Sequence, residues 1–161
     1  MTFSVREATM RDADKVIEML SLLHWEMESR GGLVRPGERT ERWMRTLVGE
    51  AIARKAGLVL VAVPHNKDSQ VVACLVAVDT ELPYDSPYKK IAAGVGTYVE
   101  NDWRKHGVAT TLYGVAAQML SDRGYDAYLG AHLTGNETAA RVIKSVGFEP
   151  FEVSVLMDLG D

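Results

Sequence analysis

The stretch VGTYVENDWRKHGVATTLYGVAAQML, Val95–Leu120, decides how this chain folds. A β-prone run ends at Val99-Glu100-Asn101-Asp102, the basic tripeptide Arg104-Lys105-His106 follows, and Gly107 opens a long apolar-periodic segment. A strand therefore turns into a helix through a loop rich in cationic side chains. A helix start has unpaired backbone N–H groups and a partial positive charge, so it is a natural seat for phosphate. Gly107 lets an anion approach the main chain with no Cβ in the way, and the small Ala109 keeps the first turn open. Arg104 can grip a phosphate through two parallel hydrogen bonds, with Lys105 and His106 adding positive potential. The same tetrapeptide also reads as a solvated turn leading into a core helix.

Upstream of this junction, alternation over Phe3–Glu7 predicts a strand. Thr9 with Asp12 three residues on resembles a capping box for a helix running to about Arg30, with Ala13, Val16, Ile17 and Leu20 on its apolar face. The segment GGLVRPGE breaks it. Thr40 is the expected cap of a second helix whose inner face carries Trp43, Leu47, Val48, Ala51 and Ile52. GLVLVAVP and QVVACLVAVD read as strands joined through HNKDS, and their near-continuous apolar character implies burial on both faces. TELPYDSPYKK reads as a loop before a fourth strand from Ile91 to about Glu100.

Downstream, a helix is expected over Gly107–Arg123, with Val108, Leu112, Val115, Met119 and Leu120 on one face. YDAYLGAHL reads as a fifth strand, Asn136–Val146 as a helix closed by Gly147, and FEPFEVSVLMDL as a last strand. The order is β-α-α-β-β-β-α-β-α-β: a mixed α/β sheet with helices on its faces, and one domain over residues 1–161.

Composition narrows the function. The 161 residues are 47% hydrophobic and 25% charged, with a formal net charge of −4. Bulk electrostatics thus gives no support to nucleic-acid or anionic-membrane binding. The single cysteine, Cys74, lies in an apolar run and reads as core, and the four scattered histidines form no zinc spacing, so no metal is expected. No apolar run approaches a membrane span and no signal pattern is visible, which points to a cytoplasmic protein. GVGTYV at Gly94 is not a dinucleotide fingerprint, because Val99 holds the third glycine's place and no helix opens there.

Two motifs carry a resemblance to a known family. Arg104-Lys105-His106-Gly107-Val108-Ala109, after Thr97-Tyr98-Val99, resembles the Arg/Gln-x-x-Gly-x-Gly/Ala signature of the GCN5-related N-acetyltransferases. Asn136-x-x-Ala139 with Gly147-Phe148 resembles that family's Asn-x-x-Ala-x-x-x-Tyr-x-x-x-Gly-Phe pattern, and the element order agrees from Phe3 to Leu159. The resemblance implies a mostly antiparallel sheet with splayed fourth and fifth strands. It implies acetyl-CoA as donor and a primary amine, on a small molecule or a protein, as acceptor, met in a ternary complex. Backbone N–H groups from His106 through Val108 and Ala109 to Thr110 would hold the diphosphate, with Arg104 and Lys105 leading the loop. Thr97 and Val99 would pair with the pantetheine arm, and Asn136 would sit beside it as well as capping its own helix. The dimer common in such folds stands as an alternative to a monomer. Gly94 and Gly96 mark either a bulge with close ligand approach or tight helix packing.

The pattern is broken at two places. Seven residues after Asn136, where the family commonly has a tyrosine that protonates the departing thiolate, the chain has Ile143. Five residues before Asn136, where some members have a glutamate base, it has Ala131. Tyr98 and Glu100, expected on one face at the end of the fourth strand, are the replacement candidates. His132 is read as a packed strand residue, and Tyr113 and Tyr128 as amphipathic packing residues. Acceptor recognition is expected from HWEMESRGGLVRPGE and DTELPYDSPYKK, through Glu26, Glu28, Glu81, Asp85, Trp25, Tyr84 and Tyr88. The rival readings are a non-catalytic acyl-CoA-binding or regulatory module, and an acyltransferase with another donor or acceptor.

Overall fold

The two near-continuous apolar runs become the centre of the sheet. In the computed structural model, which describes all residues except 66, 68, 69, 83, 84, 151–153, 156 and 158–161, they form β2 (Gly57–Pro64) and β3 (Ala73–Thr80). Side chains alternate between the two faces of a strand, and both faces are covered. Val59, Val61, Val63, Cys74 and Val76 enter one apolar cluster with Leu20, Met44 and Val48. Leu58, Leu60, Leu75 and Ala77 enter a second with Val108, Leu112 and Leu120. Two covered faces are why these strands show no polar alternation.

β1 (Phe3–Glu7) pairs antiparallel with β2, β2 with β3, and β3 with β4 (Ile91–Val99). The short β5 (Ala127–Leu129) runs parallel to β4, completing the order β1-β2-β3-β4-β5. A parallel neighbour requires a crossover, which α3 (Val108–Asp122) provides on the second face. α1 (Ala13–Glu28) and α2 (Glu38–Arg54) cover the first face, and α4 (Glu137–Ser145) lies beside α3. This is the mixed, mostly antiparallel architecture expected, with helices on both faces. Half of the segment FEPFEVSVLMDL, where the last strand is expected, lies outside the described residues, as does Tyr84.

β4 departs from a regular ladder in two ways. Val76 faces Gly96 whereas Ala77 faces Gly94, so Val95 is an extra residue bulged out of the pairing. Pairing with β5 stops at Ala93–Leu129, and among the described residues no strand pairs with β4 on that edge from Gly94 to Val99. The two strands therefore part. Gly96 also answers the packing reading: a Cβ there would lie 2.7 Å from Leu23 Cδ2 and 2.9 Å from Leu20 Cδ2. Bulge and close helix packing hold together at this point.

Several local expectations change. Asp12 reaches back to the Thr9 N–H at 2.7 Å as a capping box requires, but the Thr9 hydroxyl donates to the same carboxylate instead of capping the helix. Arg6 binds that carboxylate from β1 at 2.9 and 3.0 Å. Gly37, not Thr40, precedes α2, and the Thr40 hydroxyl donates back to the Arg35 carbonyl at 2.6 Å. The inner face of α2 is Met44, Val48 and Ala51, which leaves Trp43 48% exposed. The expected fifth strand shrinks to three residues because the chain leaves β4 after Leu129.

Candidate active site

The parting of β4 from β5 opens a cavity of about 690 Å3. Its walls come from both faces of the sheet: Leu23, Glu26, Met27 and Arg30 of α1 on one side, and Tyr113 of α3 with Ala139, Val142 and Ile143 of α4 on the other. Thr97, Tyr98 and Val99 form the strand between them, and Lys105 and Gly107–Thr110 form one end. The cavity is thus a slot through the sheet rather than a hollow on one face.

The loop entering α3 has two left-handed residues, Lys105 at φ 66° and Gly107 at φ 76°. Gly107 is the N-cap and has no side chain to bond the first helical amides, so the N–H groups of Val108, Ala109 and Thr110 begin α3 uncapped. Space is open where a Gly107 Cβ would stand. Lys105 lines the cavity beside these amides, whereas His106 is exposed and does not line it.

Arg104 is placed differently from a free phosphate clamp. Its Nε donates to the Val99 carbonyl at 2.8 Å, one terminal nitrogen donates to Glu26 Oε1 at 2.6 Å, and its guanidinium carbon lies 5.3 Å from the centre of the Tyr98 ring. It therefore braces the loop against β4 and α1. Asn136 fulfils its structural reading: its side-chain oxygen accepts from the Ala139 N–H at 3.2 Å while the residue lines the cavity. Gly147 at φ 100° closes α4, with Gly147 and Phe148 N–H groups bonding back to Lys144 and Ile143.

The two acid–base candidates separate. Tyr98 lines the cavity and is almost buried at 7% exposure. Glu100 lies beyond the end of β4, is drawn to Lys15 at 3.3 Å, and is not among the lining residues. Both face the α1 side of the sheet, since Tyr98 packs in the cluster that α1 covers and Glu100 is held by Lys15 of α1, but only Tyr98 reaches the slot. His132 is exposed outside any strand, its Nδ1 3.1 Å from the Leu133 carbonyl, and not a packed strand residue. Cys74 is fully buried, and burial pushes its thiol up to about 12. Ala131 is exposed and Ile143 presents only hydrocarbon to the slot.

Two lining residues lacked a distinguishing sequence signal. Glu26 is one of several acidic residues in its segment, and only the fold sets it against Arg104. Tyr113 lies next to the buried Leu112, and its hydroxyl accepts from Thr97 Oγ1 at 3.1 Å across the slot. Burial raises the Tyr113 pKa above the ordinary tyrosine value, with the Thr97 hydrogen bond pulling the other way.

A sheet parted between its fourth and fifth strands, with an uncapped helix start at the parting, is the architecture anticipated for an N-acetyltransferase fold. The profile of the Acetyltransferase (GNAT) family matches residues 18–148, and the chain belongs to that family. Solved structures agree on the fold. A predicted acetyltransferase with acetyl-CoA from Clostridium acetobutylicum is 16% identical with a TM-score of 0.75, over 98% of this chain and 97% of that one. AAC(6')-Iy with the bisubstrate analogue CoA-S-monomethyl-acetylneamine is 13% identical with a TM-score of 0.72, over 100% of both chains. The aminoglycoside 6'-N-acetyltransferase AAC(6')-Ih from Acinetobacter baumannii is 16% identical with a TM-score of 0.69, over 99% of both chains. No curated protein sequence matches the chain. Among the described residues, no helix is long and apolar enough to cross a membrane.

Proposed function

We propose that residues 1–161 act as one N-acetyltransferase domain, moving the acetyl group of acetyl-CoA to a primary amine by direct attack in a ternary complex. The observation that carries this reading is that the uncapped start of α3 and the unpaired edge of β4 open onto the same slot. Uncapped amides beside an open glycine fit a diphosphate. An unpaired strand edge fits an extended, amide-bearing arm. In this reading the N–H groups of Val108, Ala109 and Thr110, with Gly107 and Lys105 around them, hold the diphosphate. Thr97 and Val99 pair with the pantetheine arm, Arg104 keeps the loop in shape, and Asn136 borders the arm. Structures of proteins sharing the fold hold acetyl-CoA or a CoA-based analogue, in keeping with this donor.

The acceptor enters from the α1 side, where Glu26 is the carboxylate that lines the slot and Tyr98 forms its floor. Glu26 attracts the amine as a cation and orients it. Holding the two reactants together supplies much of the acceleration, since aminolysis of a thioester depends on positioning and on polarising the carbonyl. Glu100, tied to Lys15, reaches the amine only through water. The lone buried thiol of Cys74 is in keeping with a reducing, cytoplasmic setting.

The test is a thiol-release assay with acetyl-CoA and a panel of primary amines, small molecules and peptides alike. Amine-dependent release of CoA with a mass gain of one acetyl group on the acceptor is expected. Tight CoA binding with no acetylated amine, and no slow hydrolysis of acetyl-CoA, would instead identify a non-catalytic binding module.

A further inference from the structure

We infer that Tyr113 is the proton donor to the sulfur that departs when the acetyl group is transferred, and that Thr97 positions it. This role rests on the acetyl-transfer reading. Tyr113 stands on α3 after the uncapped amides and turns its phenol into the slot toward β4. Thr97, on the stretch of β4 that has lost β5, donates to the phenolic oxygen at 3.1 Å. That bond uses a lone pair and leaves the phenolic proton unspent: among the described residues no acceptor takes it. The ring is fixed by Tyr128 and Phe148, with ring centres at 6.3 and 5.9 Å.

The other groups lining the slot do not offer a proton at that wall. Glu26 is held by Arg104 on the opposite face of the sheet, Glu137 is exposed at the start of α4, and a guanidinium does not part with its protons. Lys105 is exposed at the loop, and Tyr98 belongs to the opposite face of the sheet, beside Arg104. Tyr113 remains, and its burial keeps it in the protonated form an acid must have.

In this step the amine nitrogen bonds to the carbonyl carbon, and the carbon–sulfur bond breaks with its electron pair on sulfur. Tyr113 gives its proton to that sulfur, and the surplus proton on nitrogen passes to water. The Thr97 hydroxyl steadies the phenolate until it recovers a proton from solvent.

Binding of the product thiol tests this without any acceptor. CoA and desulfo-CoA are titrated calorimetrically into the wild type, Tyr113→Phe and Thr97→Val at pH 7 and pH 9. As the thiol ionises, the wild type should come to prefer CoA over desulfo-CoA, because a phenol donating to a thiolate is a charge-assisted hydrogen bond. At pH 9 that preference should be about tenfold greater than in Tyr113→Phe, with Thr97→Val between them, the affinity for desulfo-CoA serving as each protein's own reference. Equal preferences in the wild type and Tyr113→Phe at pH 9 overturn the role of Tyr113 while leaving the donor reading intact. Binding of neither compound to the wild type overturns both.

Discussion

Arg104 and Glu26 meet at 2.6 Å across the mouth of the slot, joining the loop before α3 to the helix on the opposite face of the sheet. The same guanidinium holds the Val99 carbonyl at 2.8 Å, so one side chain connects the loop, the strand and α1. The sides of the slot proposed for donor and acceptor are joined through it.

That coupling is separable from stability. The two side chains are 39% and 42% exposed, so solvent screens the pair and its loss should change stability by under about 1 kcal/mol. Glu26→Gln should raise the KM for the amine about tenfold, the size of one lost charge-assisted contact, with CoA affinity nearly unchanged. Arg104→Ala, which also releases Val99, should weaken both ligands. Steady-state kinetics with calorimetry separates the two patterns, and a Glu26→Gln enzyme with wild-type KM would remove Glu26 from the acceptor site.

Acid stability should depend on Asp12. Its hydrogen bonds from Arg6, together with those from Thr9 and against the opposing effect of burial, hold its pKa near 2 instead of 3.8. A depressed carboxylate contributes stability that is fully present above the unfolded value and disappears as pH falls from about 4 to about 2. With allowance for the partly exposed Arg6, the contribution is about 1–2 kcal/mol. Asp12→Asn should lose that amount at pH 7 and show a shallower decline between pH 4 and pH 2. Urea unfolding at the four pH values 2, 3, 4 and 7 measures it; an unchanged acid limb would contradict the assignment.

Much of the fold is legible in the chain because local signals and burial agree. The apolar runs of β2 and β3 declare a sheet covered on both faces, and Gly107 after three basic residues marks the helix start. The limits have physical causes. Trp43 and Met44 are adjacent, and helical periodicity alone does not tell which of them turns inward. Glu100 keeps the alternation of β4, but Lys15, distant in sequence on α1, takes its carboxylate and holds it outside the slot. Arg104 reads as a phosphate ligand until Glu26, distant in sequence, is folded against it. Tyr113 shows the converse: its proximity to Thr97 exists only once β4 and α3 are assembled.

Cys74 should prove chemically silent. A fully buried thiol with its pKa pushed up to about 12 carries almost no thiolate at neutral pH. Iodoacetamide should leave the native enzyme active and unmodified, and Cys74→Ala should retain turnover. Stoichiometric acetylation of Cys74 by acetyl-CoA would point to a covalent route in place of direct attack.

Gly96 should tolerate no side chain cheaply. The Leu23 and Leu20 methyls that an added Cβ would meet can swing aside, so Gly96→Ala should cost about 1 kcal/mol, the low end of overpacking. Because α1 also forms the proposed acceptor wall, the displacement should raise the amine KM more than it changes CoA binding. Thermal unfolding and kinetics on the same preparation test both parts.

The uncapped amides of Val108, Ala109 and Thr110 are the proposed seat of the CoA diphosphate. Calorimetric titration of CoA into the wild type and Gly107→Glu tests it most directly, since a carboxylate in the open space at Gly107 would oppose the anion without disturbing the core. Saturable binding to the wild type and none to a folded Gly107→Glu protein is the expected result. Equal affinity in the two proteins, or no heat from the wild type at millimolar CoA, would contradict it.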